Sequence, residues 1–258
     1  MAHATHDPQA GGRIRGVLMF LPVLIWAFAY MFYLLLMAIF APGVLRRDPA
    51  KAIRPWGAGQ LKLLGIRLEV HGREHLDSSG PQIILFNHVN IFDLAVLSAV
   101  WGDNFSVIYK KEFHKIPLMG RLMRFFGMIP IDRSNRERAM KSMAEASKHV
   151  REQNKKVLVA PEGTRSHDGR LRDFKRGPFH LALETKAPVV PMIMRGLEVL
   201  VPGMTKPART GVLRVDFLPA IDTSEWTRRT LDVHVEEARQ AFLQYLPEGC
   251  EAPSDSEK

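Results

Sequence analysis

Two segments of the sequence contain residue types that could catalyse the transfer of a group to an alcohol. The first contains His88 and Asp93, five positions apart. An aspartate that accepts a hydrogen bond from one imidazole nitrogen leaves the other nitrogen able to take a proton, as in a general base. No serine or cysteine stands beside His88 in an elbow motif, so the nucleophile would be a hydroxyl of the substrate. The alternative is a histidine packed at the start of a helix.

The second segment is the run 161–166, which reads PEGTRS. Its Arg165 presents a planar fork of donors that suits phosphate oxygens, and Gly163 lets the backbone approach a ligand closely. Lys175 and Arg176 follow at the start of a predicted helix, where anions are favoured. The run predicts a phosphate site, and the alternative is a polar loop with a solvated arginine.

A third region adds further cations. Lys110 and Lys111 follow one predicted strand and Arg133 follows another, so they could converge on one phosphate. Exposed lysines and an Asp132–Arg133 surface pair are the commoner outcome for such charges. The apolar segment 118–128 either lines an acyl groove or packs in the core, which is the commoner use. This chemistry requires no metal ion and no bound cofactor.

A strand, a turn and a helix must position His88 against Asp93. On one continuous helix, five residues rotate by about 500°, so the two side chains would point apart. The run 82–86 is continuously apolar after Gln82, as expected for a buried parallel strand, and 91–100 is predicted to be a helix. His88 then lies in the turn, and Asp93 reaches back from the first helical turn.

The rest of the chain alternates between strands and helices. Strands are predicted at 66–71, 105–109, 128–131, 156–160, 189–194 and 212–218, and helices at 117–126, 135–153 (with Asn135 as N-cap), 176–186 and 227–246. This alternation predicts an α/β fold with a mostly parallel central sheet flanked by helices. Ligands of such sheets bind beyond the carboxyl ends of the strands, where the three segments lie.

An apolar segment precedes this domain. No charged residue occurs from Gly16 to Leu45, which is long enough to span a membrane and too long for a signal peptide. We therefore predict an N-terminal membrane anchor over 1–45, a catalytic domain over 46–250 and a disordered tail over 251–258. The anchor is either one spanning helix or a shallow hairpin broken at Pro22 and at Pro42.

Charge bears on location and partners. Four basic residues follow the apolar segment and two precede it, which predicts a catalytic domain on the cytoplasmic side of a membrane, such as the bacterial inner membrane. The net charge of +9 favours a polyanionic partner. No zinc-finger spacing, basic heptad pattern or basic–aromatic interleaving favours nucleic acid. The single cysteine, Cys250, excludes an intrachain disulfide and is consistent with a reducing compartment.

In order and spacing, these segments resemble the four blocks of the glycerolipid acyltransferases, and most of all the bacterial 1-acylglycerol-3-phosphate acyltransferases. The matching residues are Asn87-His88 with Asp93; Lys110-Lys111, Pro117, Gly120 and Ile131-Asp132-Arg133; Pro161 to Ser166; and Val190-Pro191. Two positions depart from the usual pattern: Asn90, where many members have serine, and Ala160, where phenylalanine is usual.

The resemblance implies that a fatty acyl group passes from acyl-CoA or acyl-carrier protein to the sn-2 hydroxyl of lysophosphatidic acid, giving phosphatidic acid. It implies that His88 is the base, that Asp93 is its partner, and that Val190-Pro191 is linked to the acyl or acceptor pocket. It further implies an acceptor site formed by Arg133, Glu162, Gly163, Thr164 and Arg165, with Lys110 or Lys111 contributing, a choice that the doublet leaves open. Membrane lipids would be further partners.

Two alternatives remain open. A sister O-acyltransferase could use glycerol 3-phosphate, another lysophospholipid or a lyso-ornithine lipid, since all would share the His–Asp pair. An inactive membrane-binding protein could use the same scaffold, although the intact set of His88, Asp93 and Arg165 argues against it.

Overall fold

The computed structural model describes residues 8–76, 80–166, 170–203, 206–247 and 250–252. Its strands are β1 Ile66–His71, β2 Gln82–Phe86, β3 Phe105–Lys110, β4 Ile129–Ile131, β5 Lys156–Val159, β6 Val189–Arg195 and β7 Gly211–Phe217. Its helices are α1 Pro8–Phe40, α2 Pro42–Arg47, α3 Pro49–Leu63, α4 Asp93–Ala99, α5 Met119–Phe125, α6 Arg136–Gln153, α7 Gly177–Thr185, α8 Leu197–Leu200 and α9 Leu231–Tyr245. All the predicted strands and helices are present, with ends that differ by up to four residues.

The strands form one sheet in the order β1-β7-β6-β2-β5-β3-β4, in which only the β6–β7 pair is antiparallel. Strand β2 lies between β5 and β6, and all five of its residues are buried. Its side chains alternate between two apolar layers, one built with α3 and α4 and the other with α6, α7 and α9. Apart from Gln82 the strand is apolar, as expected for a strand that is covered on both faces. The strand order and pairing confirm the predicted mostly parallel α/β sheet.

Helix α3 was not predicted, and its sequence contains the helix-breaking residues Pro55, Gly57 and Gly59. The structure gives two of these a packing role. A Cβ at Gly57 would collide with the carbonyl oxygen of Ala95 in α4, and a Cβ at Gly59 would collide with the ring of Trp26 in α1. The glycines therefore let α3 pack closely between α1 and α4, and this packing outweighs their low helix propensity.

Helix α1 runs unbroken through Pro22, and the chain leaves it just before Pro42 opens α2. Of the two predicted breaks, the one at Pro22 is therefore wrong and the one at Pro42 is present. Within α1, Leu18–Phe40 is long and apolar enough to cross a membrane, with a mean hydropathy of 2.4. Helices α1 and α3 thus form a helical hairpin. The predicted hairpin lay within the apolar segment, whereas the second arm of the observed one, α3, follows that segment.

The two arms of this hairpin pack antiparallel. Trp26 Nε1 donates to the carbonyl of Trp56 at 3.1 Å, and Tyr30 Oη donates to that of Ala52 at 3.2 Å. One face of α1 is thereby buried against the domain, and the opposite face is apolar and exposed. The exposed large apolar residues of α1 are Leu18, Leu21, Leu24, Ile25, Phe28, Phe32, Tyr33, Leu36, Ile39 and Phe40.

The structure bears differently on the predicted boundary of the membrane anchor and on that of the disordered tail. The anchor boundary after residue 45 stays a prediction, and residues 1–7 lie outside the described residues. At the other end, Glu251 forms a parallel bridge with Leu171, so a tail that is disordered from 251 is wrong for Glu251 and Ala252. Residues 253–258 again lie outside the described residues.

Candidate active site

The turn that carries His88 is fixed where β2 ends. The amide of Asn87 is buried and bonds the backbone of Met194 in β6 in both directions. Its Nδ2 donates to the Met194 carbonyl at 2.9 Å, and its Oδ1 accepts from the Met194 N–H at 2.8 Å. An amide side chain thus continues the sheet pairing by one position and sets where His88 leaves the sheet.

His88 Nδ1 is hydrogen-bonded to Asp93 Oδ2, as the five-residue spacing predicted. Asp93 opens α4, is fully buried, and also accepts from the N–H groups of Val89 at 2.8 Å and Asn90 at 3.2 Å. Burial raises the pKa of the Asp93 carboxyl, and these hydrogen bonds oppose the rise. Because Nδ1 bonds the carboxylate, Nε2 is the nitrogen left to accept a proton.

The peptide of His88 is held from both sides by the segment that begins at 161. Its N–H donates to Glu162 Oε1 at 2.8 Å, and its carbonyl accepts from the Ser166 N–H at 2.8 Å. Glu162 Oε2 accepts from the Arg172 N–H at 3.0 Å. Burial raises the pKa of Glu162 to about 7, although the two N–H donors lower it.

This arrangement changes the expectation for Glu162. The resemblance implied a residue of the acceptor site, whereas the carboxylate is buried and points at backbone amides. Among the described residues it is not part of the lining of the cavity in front of His88. Its position is that of a support for the His88 turn.

The cavity in front of His88, called here the site cavity, brings three sequence segments together. The predicted site residues that line it are His88, Asp93, Lys110, Arg133, Gly163, Thr164 and Arg165. Arg133 Nη1 donates to the Gly163 carbonyl at 2.7 Å, which fixes the guanidinium on the 161–166 turn. Gly163 has φ +73°, a conformation that favours glycine. A proton acceptor and several cations therefore face one space.

The structure separates the two lysines of the doublet. Lys110 lines the site cavity and lies 3.5 Å from Glu112 Oε1. Lys111 lies 3.7 Å from Asp132 Oδ2 and is not part of that lining among the described residues. Both pairs are more exposed than buried at the lysine, so neither ion pair binds its lysine strongly. Arg165 is exposed and has no partner among the described residues.

A second, apolar cavity adjoins the first. The two share Leu94, Leu97, Val107 and Met123, and the apolar one is also lined by Met31 of α1 and Trp56 of α3. Met119, Leu122, Phe126 and Met128 complete its wall from the segment 118–128. That segment was expected either to line a groove or to pack in the core, and Leu122 and Met123 do both.

The positions of some other residues near the site were not indicated by the sequence. Tyr109 lines the site cavity, and its hydroxyl is hydrogen-bonded to His114 Nε2. Burial raises the pKa of Tyr109 to about 12. Val190-Pro191 lies within β6, where Val190 is fully buried in the core, away from the described lining of both cavities. Asn87 fixes the His88 turn, and the one sequence signal for this role is its position directly before His88.

No group of three or more His, Cys, Asp or Glu side chains is arranged to hold a metal ion within the part of the chain that the structure describes. What the site offers is an oriented imidazole beside guanidinium and ammonium groups. Such a site can take a proton from a substrate hydroxyl and bind an anionic group of the same molecule.

The chain is similar in sequence to named relatives. The chain is 36% identical over 185 residues to a 1-acyl-sn-glycerol-3-phosphate acyltransferase of Limnanthes alba, covering 72% of this chain and 65% of the relative. It is 32% identical over 181 residues to the human 1-acyl-sn-glycerol-3-phosphate acyltransferase alpha, covering 70% and 64%. The match therefore spans less than two thirds of the length of these relatives.

A solved structure shows the same fold. The 1-acyl-sn-glycerophosphate acyltransferase of Thermotoga maritima superposes with a TM-score of 0.74 over 90% of this chain and 97% of its own, at 22% identity. The family model described as Acyltransferase matches residues 67–195, half of the chain, and this range includes His88 and every other predicted site residue. The chain belongs to the acyltransferase family.

Proposed function

We propose that the chain transfers a fatty acyl group from a thioester donor to the sn-2 hydroxyl of lysophosphatidic acid, which makes phosphatidic acid. The observation that carries this proposal is the site cavity, where the Nδ1-bonded His88 faces Arg133, Arg165 and Lys110 beside an apolar cavity. Lysophosphatidic acid needs all three features: a base for its hydroxyl, cations for its phosphate and apolar space for acyl chains. The names of the relatives agree with this acceptor.

His88 acts as the general base. Nε2 takes the proton of the acceptor hydroxyl as its oxygen attacks the thioester carbonyl, and Asp93 stabilises the imidazolium. A carbon–oxygen ester bond then replaces the carbon–sulfur bond, and the imidazolium returns its proton to the departing thiolate. General-base assistance of this kind contributes about 10²–10⁴ in rate, or roughly 3–5 kcal/mol.

The cations place the acceptor. Arg133 is fixed to the Gly163 carbonyl, and Arg165 and Lys110 extend into the same cavity from other segments. A phosphate monoester bridged by two guanidinium groups has little rotational freedom, so its neighbouring hydroxyl is held near His88. Positioning can contribute as much to the rate as proton transfer does.

The apolar cavity takes an acyl chain. It meets the site cavity at Leu94 and Leu97, so a carbonyl group beside His88 can have its chain on the apolar side. The donor is acyl-CoA or acyl-carrier protein, used as a co-substrate, and the enzyme works without a metal ion or a bound cofactor.

Helix α1 attaches the enzyme to the membrane that holds its acceptor. Its exposed apolar face suits the acyl region of a bilayer, while its opposite face is packed on α3 and α5, so α1 enters the bilayer by one face. Arg46, Arg47 and Lys51 follow directly and would meet anionic headgroups on the cytoplasmic side.

An acceptor and donor panel on purified, reconstituted protein tests this function. Lysophosphatidic acid, glycerol 3-phosphate, a second lysophospholipid and a lyso-ornithine lipid would each be offered with acyl-CoA and with acyl-carrier protein. The highest kcat/KM is expected for lysophosphatidic acid. A higher kcat/KM for another acceptor would identify a sister enzyme, and failure with every pair would favour a membrane-binding protein without activity.

A further inference from the structure

A short segment near the C-terminus lies against the chain that follows the 161–166 turn. The segment is Cys250–Ala252, called here the strap. The Leu171 N–H donates to the Cys250 carbonyl at 2.6 Å, and the Ala252 N–H donates to the Leu171 carbonyl at 3.0 Å. Leu171 is itself buried in the apolar layer under the sheet. The strap therefore fixes the backbone on both sides of Leu171.

A buried arginine clamps the strap in place. Arg239 of α9 is 6% exposed; its Nη2 lies 2.6 Å from Glu251 Oε1, and its Nε lies 3.9 Å from Asp173 Oδ1. A buried guanidinium must be paired, because an unpaired buried charge costs several kcal/mol. Arg239 is thus hydrogen-bonded to Glu251 of the strap, and it lies within ion-pair distance of Asp173, next to Arg172, without a hydrogen bond to it.

The 170–173 segment, which the strap holds, supports the His88 turn through Glu162. The Arg172 N–H, between Leu171 and Asp173, donates to Glu162 Oε2, and Glu162 Oε1 accepts the N–H of His88. Each link is a direct hydrogen bond to backbone. A shift of the Arg172 backbone must therefore move the Glu162 carboxylate or break one of its two bonds.

We propose that the strap is a positioning element for His88, an inference that rests on the proposed function. Without the strap, the 170–173 segment loses two backbone bonds, Glu162 loses its fixed donor, and the His88 turn loses its register with the site cavity. The cations on Arg133, Arg165 and Lys110 have no contact with the strap, so acceptor binding persists. A misplacement of about 1 Å can lower the rate by up to about 100-fold.

Two matched pairs of variants test the strap. A chain that ends at Ala252 keeps it, and a chain that ends at Pro247 lacks it. Within the full chain, Ala252→Pro removes the N–H that bonds Leu171, whereas Ala252→Ser keeps it. We expect kcat to fall about tenfold or more in the Pro247-ended chain and in Ala252→Pro, with the acceptor KM changed less than about twofold.

Amide hydrogen exchange gives a readout that does not depend on activity. We expect the peptides that contain His88 and Arg172 to exchange faster in Ala252→Pro than in Ala252→Ser, while the melting temperatures stay equal. Unchanged exchange at His88, an unchanged kcat, or a loss of kcat that only follows a lower melting temperature would overturn the proposal.

The two proposals fail in distinguishable ways. If wild-type protein does not acylate lysophosphatidic acid, the proposed function fails, and the exchange comparison still decides whether the strap supports the His88 turn. If the Pro247-ended chain does not fold, the comparison of Ala252→Pro with Ala252→Ser decides alone.

Discussion

The two halves of the site cavity are built in opposite ways. In the half that carries the base, Asp93 and Glu162 are buried, and both polar groups of the His88 peptide are bonded to protein. In the half that carries the cations, Arg165 is exposed and has no partner among the described residues, and the Lys110 side chain is 55% exposed. The proton acceptor is thus organised before substrate arrives, whereas Arg165 and Lys110 stay solvated until an anion binds them.

This contrast predicts different kinetic effects for the two halves. Changes on the base side act after the acceptor is bound, so they lower kcat. Changes on the cation side remove contacts to the acceptor itself, so they raise its KM.

The largest effect is expected for Asp93→Asn. The amide cannot stabilise the imidazolium and allows the wrong tautomer of His88, so kcat is expected to fall by about 10²–10⁴, no further than on loss of the base itself, with little change in the acceptor KM. Steady-state kinetics with lysophosphatidic acid and acyl-CoA measure both constants. A kcat within tenfold of wild type, in a variant that melts normally, would show that the base side is not organised through Asp93.

Glu162→Gln tests the buried support of the base side through stability. Because the folded protein holds the Glu162 proton more tightly than the unfolded chain, the carboxyl's contribution to stability is present below about pH 4.5 and lost as pH rises through about 7. A pKa near 7 corresponds to about 3 kcal/mol lost over that window.

The glutamine side chain does not titrate, so Glu162→Gln should lack this loss. Unfolding of both proteins at pH 5 and pH 8 measures the difference. Wild type is expected to lose more stability than the variant between these pH values. Parallel pH dependence in the two proteins would mean that Glu162 is already ionised at pH 5.

Much of the fold could be predicted because its strands are covered on both faces. The run 82–86 is apolar at four of its five positions, and its short length between Gly80-Pro81 and Asn87 favours a strand over a helix. Helix α3 could not be predicted, because Gly57 and Gly59 lower its helix propensity. They favour the helix only through the close packing against Ala95 and Trp26 that they allow. Those contacts join residues far apart in sequence, which no local pattern reveals.

The sequence predicted which segments meet at the site cavity, but not that Lys111 and Glu162 lie outside its described lining. The five-residue spacing placed His88 against Asp93, because a strand and a helix meet at that turn. The sequence could not show that Glu162 faces backbone amides, since a glutamate suits a ligand or a support equally well. Nor could it separate Lys110 from Lys111, because Asp132 beside Lys111 and most of the cavity that Lys110 lines come from other segments.

Arg165→Ala tests the cation side. Loss of a charged hydrogen bond to phosphate costs about 1.5–3 kcal/mol, so the acceptor KM is expected to rise about 10- to 100-fold while kcat changes little. Arg165→Lys serves as the matched control and should recover part of the loss, since it keeps the charge and loses the planar fork. An unchanged KM in Arg165→Ala would remove this residue from the phosphate site.

The smallest effect separates the lysine doublet. Lys110→Ala removes a partly exposed cation from the site cavity and is expected to raise the acceptor KM by about fivefold, or 1 kcal/mol. Lys111→Ala is the matched control, because Lys111 lies beside Asp132, and should leave the KM unchanged. A larger effect of Lys111→Ala would reverse the assignment.

The most direct test of the account is the turnover of His88→Ala with lysophosphatidic acid and acyl-CoA, measured on purified, reconstituted protein. We predict that kcat falls by about 10²–10⁴ while the acceptor KM and the melting temperature stay near their wild-type values, because the cation side is intact. A kcat close to that of wild type would contradict the assignment of His88 as the base.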